Sequence, residues 1–121
     1  MRIFQFDKET GKSITDYGSK NSFFSRIIKH NKPIHIGCIF VGQDGVVGLH
    51  EATIKQLFLI VNGEGWVKGK EGIQYNIKSG FAALWELGEV HESGSELGMT
   101  AIVIESDDLE PQMNEVNLVD G

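Results

Sequence analysis

The residue types able to carry acid–base, nucleophilic or metal chemistry are sparse in this chain of 121 residues: four histidines, one cysteine and 17 Asp and Glu. A single cysteine, Cys38, allows neither an internal disulfide nor a zinc site built from thiolates alone. No neighbouring cation marks it as a reactive thiolate, so it is expected to be a small buried apolar residue. Ser93-Gly94-Ser95 stands beside His91, but sequence neighbours seldom form a triad and no nucleophile-elbow motif surrounds them, so a flexible turn is expected. Gly63-Glu64-Gly65 lacks the Lys-Ser/Thr ending of a phosphate-binding loop and a helix behind it. Glu86, Glu89, Glu92 and Glu96 are close in sequence, yet nothing fixes two of them at the separation glycoside hydrolysis requires. His30 lies in a polar turn beside Asn31 and Lys32 and is expected to be solvated. His35 opens an apolar strand and is expected to be a satisfied structural histidine. His50 and His91 are left as either a hydrogen-bonded core pair or a functional pair able to act as bases near neutral pH.

The elements that must position these groups are short and strand-like. Ile34–Val41 is apolar and β-branched and ends at the turn Gly42-Gln43-Asp44-Gly45. Val46–His50 resumes extended structure, and Leu57–Val61 is a continuous apolar run followed by Asn62-Gly63-Glu64-Gly65, which reads as another turn. Trp66–Lys68, a glycine-rich turn at 69–72, the alternating Ile73–Ile77, then Phe81–Trp85, Val90-His91 and Met99–Glu105 follow. Turn signals every 8 to 12 residues between such strands are the pattern of an all-β sandwich or barrel. No amphipathic helix of adequate length separates them, which argues against a parallel α/β sheet. Phe23–Lys29 fits a helical spacing through Phe23/Ile27 and Phe24/Ile28, but its aromatic and β-branched content favours a strand paired through the turn at 30–33.

Length and composition set the outer bounds. One domain of ordinary size is expected over residues 1–121, with a core over about 34–105 and an acidic tail over 106–121. The 15 glycines are nearly twice the usual share of roughly 7%, and without a three-residue period they point to tight turns. Residues 1–60 carry 8 Lys/Arg against 5 Asp/Glu, whereas residues 61–121 carry 3 against 12. The net charge of −6 argues against general nucleic-acid binding, which depends on neutralising phosphates. No apolar run approaches the roughly 18 residues of a membrane helix, and the N-terminus lacks the features of a secretory signal. A cytoplasmic protein with no membrane and no nucleic-acid partner is the expectation.

The order and spacing of two motifs resemble the cupins, small jelly-roll β-barrels. The first cupin motif has a His-x-His pair, a Glu and a later Gly; here its positions hold His50, Ala52, Gln56 and Gly63. The second has Gly, Pro-x-Gly and His; here its positions hold Gly80, Glu86, Gly88 and His91. The match covers residues 42–105, and the stretches HEATIKQLFLIVNGEGWVKG and LWELGEVHESGSELGMTAIVIE are similar to small bacterial cupins of unassigned function. The resemblance implies an all-β, single-domain jelly-roll barrel.

It also implies a site, altered in its chemistry. Metal-dependent cupins bind one divalent ion through two His, a Glu and a further His; here Ala52 removes one ligand and Gln56 replaces an anionic oxygen with a neutral one. What the resemblance leaves is His50, Gln56 and His91, a set able to hold zinc, iron, nickel or manganese but carrying no negative charge. Glu86 and Glu89 are the carboxylates placed to restore charge, as ligand or base. Alternation puts Gln56, Phe58 and Ile60 on one strand face, giving one polar group beside apolar wall. Phe58 and Trp85 are expected to line the ligand site, with core or edge packing the alternative for both Trp85 and Trp66. Three functions follow: a small-molecule-binding cupin with or without metal, a metal-dependent oxygenase or isomerase, or a metal-free epimerase or isomerase using a His base. Small cupins commonly dimerise, and Ile3–Phe6 with tail residues Leu109, Met113, Val116 and Leu118 is expected to cover sheet edges across a two-fold axis.

Overall fold

A computed structural model describes residues 1–118 of the chain; the last three residues of the predicted tail lie outside the described residues. The strands are β1 (Arg2–Gln5), β2 (Lys12–Ser13), β3 (Phe23–Phe24), β4 (His35–Val41), β5 (Gly45–Glu51), β6 (Gln56–Lys68), β7 (Gln74–Lys78), β8 (Phe81–Trp85), β9 (Val90–Ser95), β10 (Met99–Glu105) and β11 (Asn114–Val116). Among the described residues the helical content is two single turns of 3-10 helix, and no helix is long and apolar enough to cross a membrane. The all-β expectation therefore holds, and β8 and β10 occupy the ranges read from the sequence.

All pairing is antiparallel; apart from the separate β2–β3 pair, it runs in two ladders that share one strand. The first has the order β11-β1-β8-β6-β10-β4. In the second, β5 pairs with β9, β9 with β6 and β6 with β7. The shared strand is β6, whose first part pairs with β8 and β10 and whose last part pairs with β7 and β9. Asn62-Gly63-Glu64-Gly65, read above as a turn, instead lies inside this 13-residue strand. The glycines are used to bend it. Ile60 faces Ala101 and Asn62 faces Thr100, so Val61 is an extra residue opposite the register shift, and Gly63 sits at a φ of 81°. Such a bulge raises local twist and turns a strand out of one sheet.

The core lies between the two ladders. Phe58, Ile60, Ala83, Trp85, Ala101 and Val103 from the first meet Val67 and Ile77 from the second. Trp85 is thereby a core residue, with its indole N–H donated to the Lys68 carbonyl at 3.1 Å. A second cluster forms on the opposite face of the first ladder, where Phe4, Leu57, Leu59, Ala82, Leu84 and Ile104 are covered by Leu109, Met113, Ile27 and Ile28. Burying each such side chain is worth about 1.5–3 kcal/mol, which offsets the roughly 1–2 kcal/mol per residue needed to order the backbone carrying it.

Several expectations are corrected. Phe23–Lys29 is a strand only over Phe23–Phe24, and that strand pairs with β2 rather than with the segment after Pro33; Ile27 and Ile28 are spent on the second cluster instead. The free side of β1 is covered by β11 of the same chain, so β1 is not an edge awaiting a partner. Ser93-Gly94-Ser95 is strand, not a flexible turn. The Ser95 hydroxyl donates to the Glu64 carbonyl and accepts from the Gly98 N–H, which moves the turn to 96–98. Cys38 is exposed because β4 lies at the end of the first ladder and nothing covers its outer face, where Ile36 and Phe40 are 65% and 78% exposed.

Passage of β6 between ladders requires a residue without a side chain at position 65. A Cβ on Gly65 would collide with the Gly94 carbonyl oxygen and the Met99 sulfur. Gly65→Ala is expected to cost about 1–3 kcal/mol, whereas Gly48→Ala, where a Cβ meets nothing within 4 Å, is expected to change stability by less than about 0.5 kcal/mol. Urea denaturation of both variants checks this, and equal midpoints would show that the strand passage tolerates a side chain.

Candidate functional site

His50 and His91 come from neighbouring strands and are brought face to face by pairing. They are direct cross-strand partners of β5 and β9, and their rings lie 4.3 Å apart at 56°. Behind them, the Trp85 indole stacks on the His91 ring at 4.3 Å and 23°, and Phe58 lies 5.5 Å beyond Trp85. The result is a file of four rings running from the core to the surface. His91 is the inner histidine, 3% exposed, and His50 is the exposed one.

Each imidazole is oriented in the same way. The Nδ1–H of His50 donates to the Gly48 carbonyl at 2.6 Å, and that of His91 donates to the Glu89 carbonyl at 3.0 Å. Both acceptors lie two residues upstream on the same chain segment. With Nδ1 protonated and tied, the Nε2 of each ring carries a lone pair, the tautomer suited to metal ligation or to accepting a proton. Burial pushes the His91 imidazole below its ordinary value; its hydrogen bond to the Glu89 carbonyl opposes this, and nearby His50 adds to it. Burial thus favours the neutral form of His91, the form that can act as a ligand.

Gln56 enters from β6. It is the cross-strand partner of Trp85 and shares a strand face with Phe58 and Ile60, both core residues, as alternation predicts. Ala52 is buried, at 5% exposure. Its N–H donates to the Glu89 carbonyl at 2.9 Å and its own carbonyl accepts from Gly88 at 2.7 Å. The Glu89 carbonyl thus accepts from both Ala52 and His91, locking the β9 side of the pair to the chain leaving β5.

The two carboxylates are engaged elsewhere. Glu86 is exposed, with an oxygen 3.6 Å from Lys55 Nζ. The buried Glu89 carboxylate accepts from the Met1 ammonium at 2.8 Å, the Lys70 N–H at 3.2 Å and the Glu86 N–H at 3.0 Å. Among the described residues no three of His, Cys, Asp and Glu form a group able to hold a metal ion. The histidine pair suits ions that favour imidazole, but it offers no charge to bind them tightly.

The other histidines are peripheral. His35 is exposed at the start of edge strand β4, not a satisfied structural residue. His30 is half-buried rather than solvated: its Nε2 lies 3.0 Å from the Ser106 hydroxyl, which itself donates to the Pro33 carbonyl at 2.8 Å, so the imidazole is the donor. The structural role of Glu89 was not read from the sequence, since its partners are backbone N–H groups and a chain terminus that no side-chain motif announces.

No family model and no curated protein matches the sequence. The fold does have solved counterparts. An RmlC-like cupin from Shewanella frigidimarina is similar with a TM-score of 0.59 and 17% identity, over 68% of this chain and 73% of that one. A cupin superfamily protein from Desulfitobacterium hafniense gives 0.58 and 14%, over 74% and 82%. The fold is the cupin fold. A predicted oxalate decarboxylase from Thermotoga maritima shares it at 0.53 and 21%, over 57% and 62%.

Burial pushes the Glu89 carboxyl up, but hydrogen bonds from the Met1 ammonium and the Glu86 and Lys70 N–H groups outweigh it and hold the carboxyl below its usual range. A lowered folded-state value stabilises the fold above the unfolded carboxyl pKa of about 4.3 and loses that contribution as pH falls through the folded value. Glu89→Gln is expected to cost about 2 kcal/mol at neutral pH, with the difference from wild type shrinking in acid. Urea titrations across pH check it; a difference that stays constant into acid would remove the ionised carboxylate from the explanation.

Proposed function

We propose that this chain is a small-molecule-binding jelly-roll cupin whose recognition site is built on His50 and His91, with Trp85 stacked behind His91, Phe58 behind Trp85 in the core, and Gln56 on the strand paired with Trp85. One observation carries the reading: two neighbouring imidazoles each have Nδ1 tied to a backbone carbonyl, and Nε2 has no hydrogen-bond partner among the described residues. A core pair with a purely structural role has no need of two untied Nε2 atoms, one of them on an exposed ring. A divalent transition ion would be held by the two Nε2 atoms and the Gln56 amide oxygen, and would polarise a bound ligand at its open positions. The residues themselves supply orientation: the carbonyls of Gly48 and Glu89 aim the rings, and Trp85 fixes the plane of His91. Glu86 and Glu89 are not needed as ligands in this reading.

The test is calorimetric titration of tag-free protein with zinc, nickel, manganese and anaerobic ferrous iron. Binding of at least one ion is expected, weakened about a hundredfold or more by His50→Ala or His91→Ala, since loss of one of three donors removes a large part of the affinity. Unchanged binding in both variants would place the ion elsewhere, and no binding of any ion would remove metal from the reading.

The proposal extends to a homodimer formed through β4. Among the described residues that strand pairs only with β10; it contains no Lys, Asp, Glu or Pro to protect its edge, and it exposes Ile36 and Phe40. Light scattering after size exclusion should give twice the chain mass for wild type and the single chain mass for Phe40→Glu. A monomeric wild type would end this part of the proposal.

A further inference from the structure

Away from the histidines, an open hollow of about 480 Å³ lies where the last part of β6, the edge strand β7, the start of β8 and the turn before β10 meet. Its residues belong to neither core cluster except Ile77 and, at the rim of the core, Phe81. Trp66 faces Asn76 across the β6–β7 pair, and Glu64 faces Lys78. These four therefore share the sheet face opposite Val67 and Ile77, which point into the core.

Trp66 is seated by its neighbour. A Cβ at Gly94 of β9 would stand 2.5 to 2.9 Å from three atoms of the indole, so the ring lies directly over bare backbone. It remains half-exposed, with Lys68 Nζ 5.2 Å from its centroid and itself 3.6 Å from Glu92. The polar groups round the hollow are the amides of Gln74 and Asn76, the carboxylates of Glu64 and Glu96 and the ammonium of Lys78. None of the five is engaged in a side-chain hydrogen bond or ion pair among the described residues, although all are within one hollow. The exposed Leu97 adds an apolar lip.

The chemistry of this lining selects among ligands. Two carboxylates against one ammonium make it net negative, which disfavours phosphate, sulfate or carboxylate ligands. An aromatic face offers packing to the C–H side of a saturated ring. Amides, carboxylates and an ammonium together provide both acceptors and donors, which matches hydroxyls that are each donor and acceptor. Apolar wall with a few converging polar groups is the usual anatomy of a small-molecule site.

We propose that this hollow is a carbohydrate-binding site for a small neutral saccharide, stacked on Trp66 and held by Gln74, Asn76, Glu64 and Lys78, and separate from the histidine pair. It does not rest on the function proposed for that pair. The test is a titration of isotope-labelled protein with glucose, galactose, N-acetylglucosamine, cellobiose and lactose. It follows the NMR signals of the Trp66 indole N–H and the Gln74 and Asn76 side-chain amides. Saturable shifts confined to these groups are expected with at least one sugar. Trp66→Ala and Asn76→Ala should each weaken binding about tenfold, and the double variant His50→Ala/His91→Ala should bind as wild type does. Asn76 is exposed, so its variant keeps the test decisive if removal of Trp66 disturbs the fold. No saturable shift with any of the five sugars, or affinity unmoved by both single variants, would overturn the proposal, as would shifts centred on His50 and His91.

Discussion

The structure depends on one strand belonging to two ladders. Over its first residues β6 is central in the ladder that holds Phe58 and Trp85; over its last it is central in the ladder that holds His91 and Val67. A strand cannot serve both without changing direction, and the bulge at Val61 with the left-handed Gly63 provides that change. Close approach of β6 to the end of β9, permitted by Gly65, then brings the second ladder over the first and encloses the core. The histidine pair, set by the register of β5 on β9, is backed by this enclosure. Trp85, anchored to Lys68 on the far part of β6, is a core residue of one ladder and the stacking surface for a histidine of the other.

The site shows how backbone groups can do what side chains do in a more charged centre. Neither imidazole is oriented by a carboxylate; both are oriented by carbonyls. The one buried carboxylate nearby, Glu89, ties the chain start to the segment leading into β9 rather than facing the rings. Its backbone carbonyl contributes more directly than its charge, because it accepts from His91 and Ala52 together. The carboxylate charge of Glu89 is thus placed beneath the histidine pair as scaffold, and the rings themselves are held by neutral backbone carbonyls.

Much of this was legible in the sequence where local rules act alone. Alternation placed Gln56, Phe58 and Ile60 on one face of a strand, and the runs Phe81–Trp85 and Met99–Glu105 matched β8 and β10 to the residue. The resemblance of motif spacing put His50 and His91 in one place, and they are cross-strand partners. What was misread involves tertiary context. Asn62-Gly63-Glu64-Gly65 has turn composition, but a bulge uses the same glycines without ending the strand, and only pairing distinguishes the two. Cys38 and His35 sit in an apolar run that looks buried, yet Cys38 shares the uncovered face of an end strand with Ile36 and Phe40 and His35 sits at that strand's exposed start. Phe23–Lys29 carried two periodicities, and the chain settled the matter by extending only the first two residues and docking the isoleucines. The partners of Glu89 are N–H groups far apart in sequence, which composition and spacing do not reveal.

Ala52 limits what its position can accept. It is closed in by the backbone of the segment before β9. An imidazole introduced there would have to find volume that the surrounding chain has already taken, at a cost of a few kcal/mol. Position 52 is therefore closed to a larger side chain unless the segment before β9 moves with it, so the two hydrogen bonds that close it set the size of the residue it can hold.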